Sequence, residues 1–314
     1  MTIDHQMTTA ARQSDDVSAT IFRAPPGRAE SPPFEDGWLL NGSEREPYIS
    51  YIELDPSVNW SDELEELHEE ASRTHFLDRW TRGAIIERMG PLPATPVIAD
   101  VGCSTGYLLE DVRAAHPTAT LIGVDLIGAG LVKAHRSVAS ARLVRADACD
   151  LPIADATVDA VVSANLLEHV PDDRKALREF ARILRPGGRT VIVVPAGPGT
   201  YDYYDRFLGH ERRYGRHELA SKCADAGLEV LEDGYIGSLL YPPFWLVKQR
   251  NRRVHGGLTG EGLERQVTGD IARTRNSRVG ELAWALERGM VRAGLRLPFG
   301  IRSLVAARRP GGTS

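Results

Sequence analysis

The chain has 314 residues, with 38 Lys and Arg against 43 Asp and Glu and a formal net charge of −5. That length suits one large domain or one domain with additions, and the mild acidity excludes a general drive towards nucleic acid. The three cysteines, Cys103, Cys149 and Cys223, form neither a disulfide framework nor a metal-ligand spacing; no metal is expected, and a reducing cytoplasm is.

The charge is uneven. Residues 1–100 carry 8 Arg against 19 acids, whereas residues 237–314 carry 14 Lys and Arg against 5 acids. Two solvated faces fit this split, and so does a basic patch for an anionic substrate or a membrane surface. Residues 1–18 are polar, so no signal peptide is expected.

Residues 1–47 contain Pro25, Pro26, Pro32 and Pro33 and little apolar periodicity, and read as a disordered or loosely attached arm. Residues 48–95 read as a helical segment. Ser61 caps a first helix there, with Leu64, Leu67 and Ala71 on one stripe. A second helix is expected over residues 73–89, with Phe76, Trp80, Ile85 and Ile86 inward and Gly90-Pro91 ending it.

From Pro96 to Ile236 strands and helices alternate. Strands are expected at 97–101, 119–124, 141–145, 158–163, 189–194 and 228–235, with helices at 106–115, 129–139, 172–184 and 217–226 between them. This alternation implies an α/β fold with a doubly wound, mostly parallel sheet. Residues 237–298 break the rhythm with an apolar Pro-Pro segment, a Gly-rich stretch and a helix near 280–293. They read as a helical insertion or lid. Residues 299–314 then supply a last strand and a tail. The longest apolar stretch, 235–247, is too short to span a bilayer. With Lys248, Arg250, Arg252 and Arg253 beside it, the stretch 235–253 could make a peripheral membrane contact.

The most informative stretch is Pro96–Tyr107. A short apolar strand broken only by Asp100 runs into Gly102-Cys-Ser104-Thr-Gly106, and a helix follows. Strand, glycine turn and helix make the nucleotide corner of an open α/β sheet. A dinucleotide fingerprint needs glycine at the place of Ser104, and a phosphate loop needs Gly-Lys-Ser/Thr; neither is present. A nucleoside ligand without phosphates fits better.

Asp100-Val-Gly102-Cys-Ser104-Thr-Gly106 resembles the first motif of class I S-adenosylmethionine (SAM)-dependent methyltransferases, in the small-molecule, type 11-like branch. Asp125 ends the second strand, where an acid accepts from ribose hydroxyls, with Leu126 beside it. Asp147-Ala148 resembles the adenine-binding motif, and Arg182-Ile-Leu-Arg185-Pro-Gly187-Gly188 also matches. The resemblance covers about residues 73–236 and the last strand. It implies a seven-stranded Rossmann-like sheet with an antiparallel last strand, and SAM as cofactor. Asp100, Gly102, Ser104, Gly106, Asp125, Leu126, Asp147, Ala148 and Asn165 would bind it.

Methyl transfer from a sulfonium needs alignment above all, and a base only where the nucleophile must lose a proton. His169, in Asn165-Leu-Leu-Glu168-His169, and His210, in Gly209-His-Glu-Arg-Arg-Tyr214, are the candidates. Tyr204, Arg212, Arg213 and Tyr214 are candidates for holding substrate. The expected partner is a small molecule, lipophilic or from specialised metabolism. A SAM-retaining cyclisation or isomerisation would show the same cofactor motifs. An RNA or protein methyltransferase ranks lower, since no Asn-Pro-Pro-Tyr-like motif follows the fourth strand. The acceptor atom and the oligomeric state are not legible.

Overall fold

The protein is described from a computed structural model, over residues 18–41, 44–53, 75–254 and 277–311, with short pieces between 257 and 269. The core is an eight-stranded sheet in the order β3-β6-β5-β4-β7-β8-β10-β9. Its strands are β3 (Ile49–Ser50), β4 (Val97–Val101), β5 (Thr120–Asp125), β6 (Arg142–Arg145), β7 (Val158–Ala164), β8 (Leu184–Pro195), β9 (Glu229–Ile236) and β10 (Arg302–Arg308). β3 to β8 run parallel. β10 lies antiparallel between β8 and β9, with Arg302 opposite both Pro195 and Ile236. The seven strands expected are therefore joined by an eighth, the two-residue edge strand β3.

β4 is buried at all five positions, as a central parallel strand covered on both faces must be. The connections α3 (Tyr107–Ala115), α4 (Gly128–Ser137), α5 (Asp173–Ile183) and α7 (Glu218–Asp225) place apolar stripes on the sheet. α5 shows the pattern plainly, burying Ala176, Leu177, Phe180 and Ile183. α5 is capped by Asp172, whose carboxylate accepts from Lys175 N at 2.9 Å. α2 (Phe76–Arg88) packs on the same face as α3, capped by His75 and ended at Met89.

The arm expected over residues 1–47 needs correction where it is described. After the short helix α1 (Ser18–Ile21), Ile21, Phe22 and Trp38 join the core, and Trp38 is 0% exposed. Its indole Nε1 donates to Leu143 O at 2.8 Å, and Phe22 and Phe34 meet it edge-on at 5.4 and 5.2 Å. A hairpin of β1 (Trp38–Asn41) and β2 (Glu44–Glu46) follows. The helix expected from Ser61 lies outside the described residues, as do residues 1–17.

Between β9 and β10 the described residues form α8 (Tyr241–Val254) and α9 (Arg278–Arg292). Glu287 of α9 is buried and accepts from Gly237 N and Leu239 N, both at 2.9 Å, where the chain leaves β9. Arg302, at the start of β10, donates to Thr81 Oγ1 at 2.5 Å and Asp78 Oδ1 at 2.6 Å and so ties α2 to the sheet.

Candidate active site

The carboxyl ends of β4, β5 and β7 open into a cavity of about 1310 Å³, roofed by α8 and the short helix α6 (Tyr203–Phe207). Ligand pockets for one small molecule run to ~1,000 Å³, so this volume suits two ligands side by side. One half carries the residues read from the glycine corner. The other carries charged groups from distant parts of the chain.

In the first half, Gly102 and Gly106 sit at φ +82° and +85°, where an L side chain is strained. A Cβ on Gly102 would meet Leu166 Cβ at 2.9 Å; one on Gly106 would meet Ala134 Cβ at 2.8 Å. The turn thus needs glycine twice, once to approach the cavity and once to seat α3 on α4. Ser104 N donates to Asp125 Oδ2 at 2.8 Å and Ile127 N to Asp125 Oδ1 at 2.9 Å. These two donors fix the plane of a carboxylate that can accept about four hydrogen bonds. Asp147 Oδ1 accepts from Cys149 N at 2.8 Å, and Ala148 is buried beside it. Asn165 takes a left-handed φ of +52° at the end of β7. All nine expected cofactor residues except Gly106 line this cavity.

Asp100 tests whether the site fits the expected cofactor. It is buried, and neither carboxylate oxygen has a hydrogen-bond partner among the described residues. Burial, and after it the charge of Asp125, push its carboxyl well above the usual range. A bare-backbone turn, an oriented carboxylate at a strand end and a buried acid lacking donors among the described residues are features that a ligand with a ribose and a cationic amino-acid tail would fit.

The second half is built around Asp205. Its Oδ1 accepts from Arg213 Nε at 2.7 Å and from His210 Nδ1 at 2.8 Å. Burial alone would raise the Asp205 carboxyl, but His210, Arg213 and Lys248 outweigh it and hold it well below the usual carboxylate range. An ionised carboxylate only accepts, so Nδ1 of His210 carries the proton and a neutral ring keeps its lone pair on Nε2. Lys248, on α8, donates to Asp202 Oδ1 at 2.7 Å while nearly buried. Burial, then Arg213, lower its pKa.

Glu168 completes this half. It is 0% exposed, and neither carboxylate oxygen has a hydrogen-bond partner among the described residues. Burial pushes its carboxyl up to about 7 against the opposing charges of His210, Arg302 and Arg213. The rings of His169 and His210 meet edge-on with centroids 4.7 Å apart.

Of the expected substrate residues, Tyr204 and Arg213 line the cavity, and Tyr204 lies 5.3 Å from Lys248 Nζ. Arg212 and Tyr214 do not. Arg212 pairs with Asp173 at 3.1 Å and donates to Pro171 O at 2.9 Å. Tyr214 is buried and donates to Asp173 Oδ2 at 2.7 Å. Both bind the 209–215 loop to α5 and stand outside the cavity lining.

Glu168, Asp205 and Lys248 were not among the expected site residues. For Lys248 a signal was present. Phe244, Lys248 and Asn251 share one face of α8 at helical spacing and all three line the cavity.

Comparison with known proteins agrees with the cofactor half. Residues 99–192 match the family described as a methyltransferase domain, Methyltransf_11. Over 145 residues the chain is 33% identical to the ubiquinone/menaquinone biosynthesis C-methyltransferase of Syntrophotalea carbinolica, covering 45% of this chain and 59% of that one. Over 149 residues it is 32% identical to the 27-O-demethylrifamycin SV methyltransferase of Amycolatopsis mediterranei, covering 45% and 52%. The chain spans about half the length of the curated relatives it matches. Among solved structures, phosphoethanolamine N-methyltransferase 2 of Haemonchus contortus with S-adenosyl-L-methionine has a TM-score of 0.56 at 17% identity, covering 81% of this chain and 58% of that one. The [4+2]-cyclase SpnF has a TM-score of 0.55 at 17% identity, covering 83% and 99%. These two share the fold.

Proposed function

We propose, for a chain whose residues 99–192 form a class I SAM-dependent methyltransferase domain, that the protein methylates a small molecule held beneath α8. The observation that carries this reading is the two-part cavity. Its cofactor half ends at Asp100 and Asn165, and its charged half begins at once with Glu168 and His169. Asp125 would hold the ribose, Asp147 and Ala148 the adenine, and Asp100 the amino-acid end. When bound, SAM supplies a methyl electrophile: the bond from the acceptor atom to the methyl carbon forms as the carbon–sulfur bond breaks with its pair going to sulfur.

The protein's own task is positional. Phe244, Tyr203 and Tyr204 give apolar contact from above, while Arg213 and Lys248 are already neutralised by Asp205 and Asp202. An acceptor that is mainly apolar suits this lining, with its reacting atom turned towards Glu168, His169 and His210. The exposed Trp245, Leu246 and Val247 of α8, followed by Arg250, Arg252 and Arg253, support delivery of such an acceptor from a membrane surface. Among the described residues no helix is long and apolar enough to cross a membrane.

A second reading keeps the cofactor without spending its methyl group, and the likeness to the cyclase fold favours weighing it. Extracts of apolar metabolites incubated with methyl-labelled SAM test both. Label in a product supports transfer. A product changed in structure without label supports the second reading, and no SAM binding by calorimetry removes both.

A further inference from the structure

We propose that Glu168, His169 and His210 form a binding site for a first-row divalent cation, placed to hold the oxygen of a hydroxyl-bearing acceptor. The role of the cation rests on the methyltransferase reading; its binding rests on the cluster alone. One ligand atom from each of the three residues lies within 4.8 Å of the others. Two imidazoles and one carboxylate are a donor set that first-row divalent ions accept while leaving positions open for a substrate. Mg²⁺ prefers oxygen ligands and suits the set less well.

Three observations support the site independently of proximity. Glu168 is fully buried with both oxygens unpartnered among the described residues, a state that costs several kcal/mol unless a cation or donor faces it. His210 is held by Asp205 through Nδ1 at 2.8 Å, which turns the Nε2 lone pair away from the carboxylate. Metal-binding imidazoles are oriented in the same way by an outer carboxylate. The local charge also favours a cation. Glu168, Asp202, Asp205 and Asp78 bring four carboxylates, against the guanidiniums of Arg213 and Arg302 and the ammonium of Lys248.

Ligands ~2.0–2.2 Å from an ion stand ~3–3.5 Å apart, so a pair at the 4.8 Å limit must close by roughly 1.3–1.8 Å through side-chain rotation. The sequence carried no metal-ligand spacing because the donors come from two segments some forty residues apart, Glu168-His169 after β7 and His210 after α6. The proposal departs from the sequence expectation of no metal. A hydroxyl oxygen held by such an ion loses its proton near neutral pH. The O–H bond breaks, the electron pair stays on oxygen, and the proton passes to water at the cavity mouth. No side chain then has to serve as the base.

The test is calorimetric titration of the chelator-treated full chain with Zn²⁺ and with Co²⁺, whose visible absorption reports imidazole ligation. One ion per chain is expected. Glu168→Gln and His210→Gln should each weaken binding at least tenfold, and Asp205→Asn ten- to a hundredfold through loss of orientation. His169→Gln replaces any of these that fails to give a cooperative melt. Absence of binding, or equal affinity in Glu168→Gln, overturns the site. Titration of the same wild-type sample with SAM keeps the two readings apart. Cation without SAM leaves the site standing and removes the methyltransferase reading; SAM without cation does the reverse.

Discussion

Replacing Asp125 by Ala should cost most of the affinity for SAM. The carboxylate is held by two backbone donors, Ser104 N at 2.8 Å and Ile127 N at 2.9 Å, which aim it across the end of β5. A ribose diol would give it two further charge-assisted bonds. At ~1.5 kcal/mol each, their loss amounts to ~3 kcal/mol, or about 150-fold in Kd. Asp125→Asn keeps one acceptor oxygen but turns its NH2 towards one of the two backbone donors, so a loss of at least about tenfold is expected there. The assay is calorimetry with SAM and with S-adenosylhomocysteine, on variants whose cooperative melting has been checked. Both ligands share the ribose, so both affinities should fall together. A folded Asp125→Ala protein with a Kd within threefold of the parent would refute the placement of the ribose and with it the reading of the whole cofactor half.

Further outcomes follow from the same geometry. Gly106→Ala forces a side chain to φ +85° and against Ala134 Cβ at 2.8 Å; about 2–3 kcal/mol of destabilisation is expected by denaturant unfolding, and an unchanged midpoint would contradict the packing of α3 on α4. Trp38→Ala removes a fully buried indole and its bond to Leu143 O, so a loss of about 3–5 kcal/mol should appear in the same experiment; a loose arm would show almost none.

Asp173 gives the pH dependence. Burial would raise its carboxyl, but Lys222, Tyr214 and Arg212 together hold it below the usual value. A depressed native pKa adds stability that is complete above the unfolded value of ~4 and lost as pH falls through the native one. Asp173→Asn should therefore flatten the acid limb of the stability curve, measured between about pH 5 and pH 2. A variant whose stability falls as steeply as the parent's in that window would rule Asp173 out as the source.

What the sequence displayed was decided by distance along the chain. Asp100, Gly102, Ser104, Gly106 and Asp125 lie within 26 residues, and each is fixed by a strand end or by a turn that local chemistry dictates. The turn and the cofactor class were readable for that reason. Trp38 was not, because its burial depends on Leu143 of a strand a hundred residues away, and the prolines around it mask any period. The edge strand at Ile49–Ser50 is two residues long, too short to leave a pattern. On the acceptor side the failures have one cause. Glu168 and Asp205 matter through the residues they meet, His210 and Arg213, and nothing in the flanks of either announces the meeting; Lys248 was marked only by its spacing on α8. Arg212 and Tyr214 looked like substrate ligands because their loop reaches the cavity. Only the pairing with Asp173 shows that, of Arg212, Arg213 and Tyr214, the loop presents Arg213 to the cavity.

The antiparallel strand β10 has a consequence for how this architecture varies. Because it lies directly beside β9, with Arg302 opposite Ile236, the chain departs from the sheet and returns to it at adjoining points. Whatever is strung between those points, here α8 and α9, is attached as a cassette whose two ends already touch. Closing such a loop costs only ~0.6 kcal/mol for each doubling of its length. A cassette of another length or sequence can be exchanged while Asp100, Asp125 and Asp147 keep their places. Transplanting residues 238–300 between chains of this architecture should therefore carry acceptor preference with it, and Glu287, which clasps both Gly237 N and Leu239 N at the root, marks where the graft must be joined.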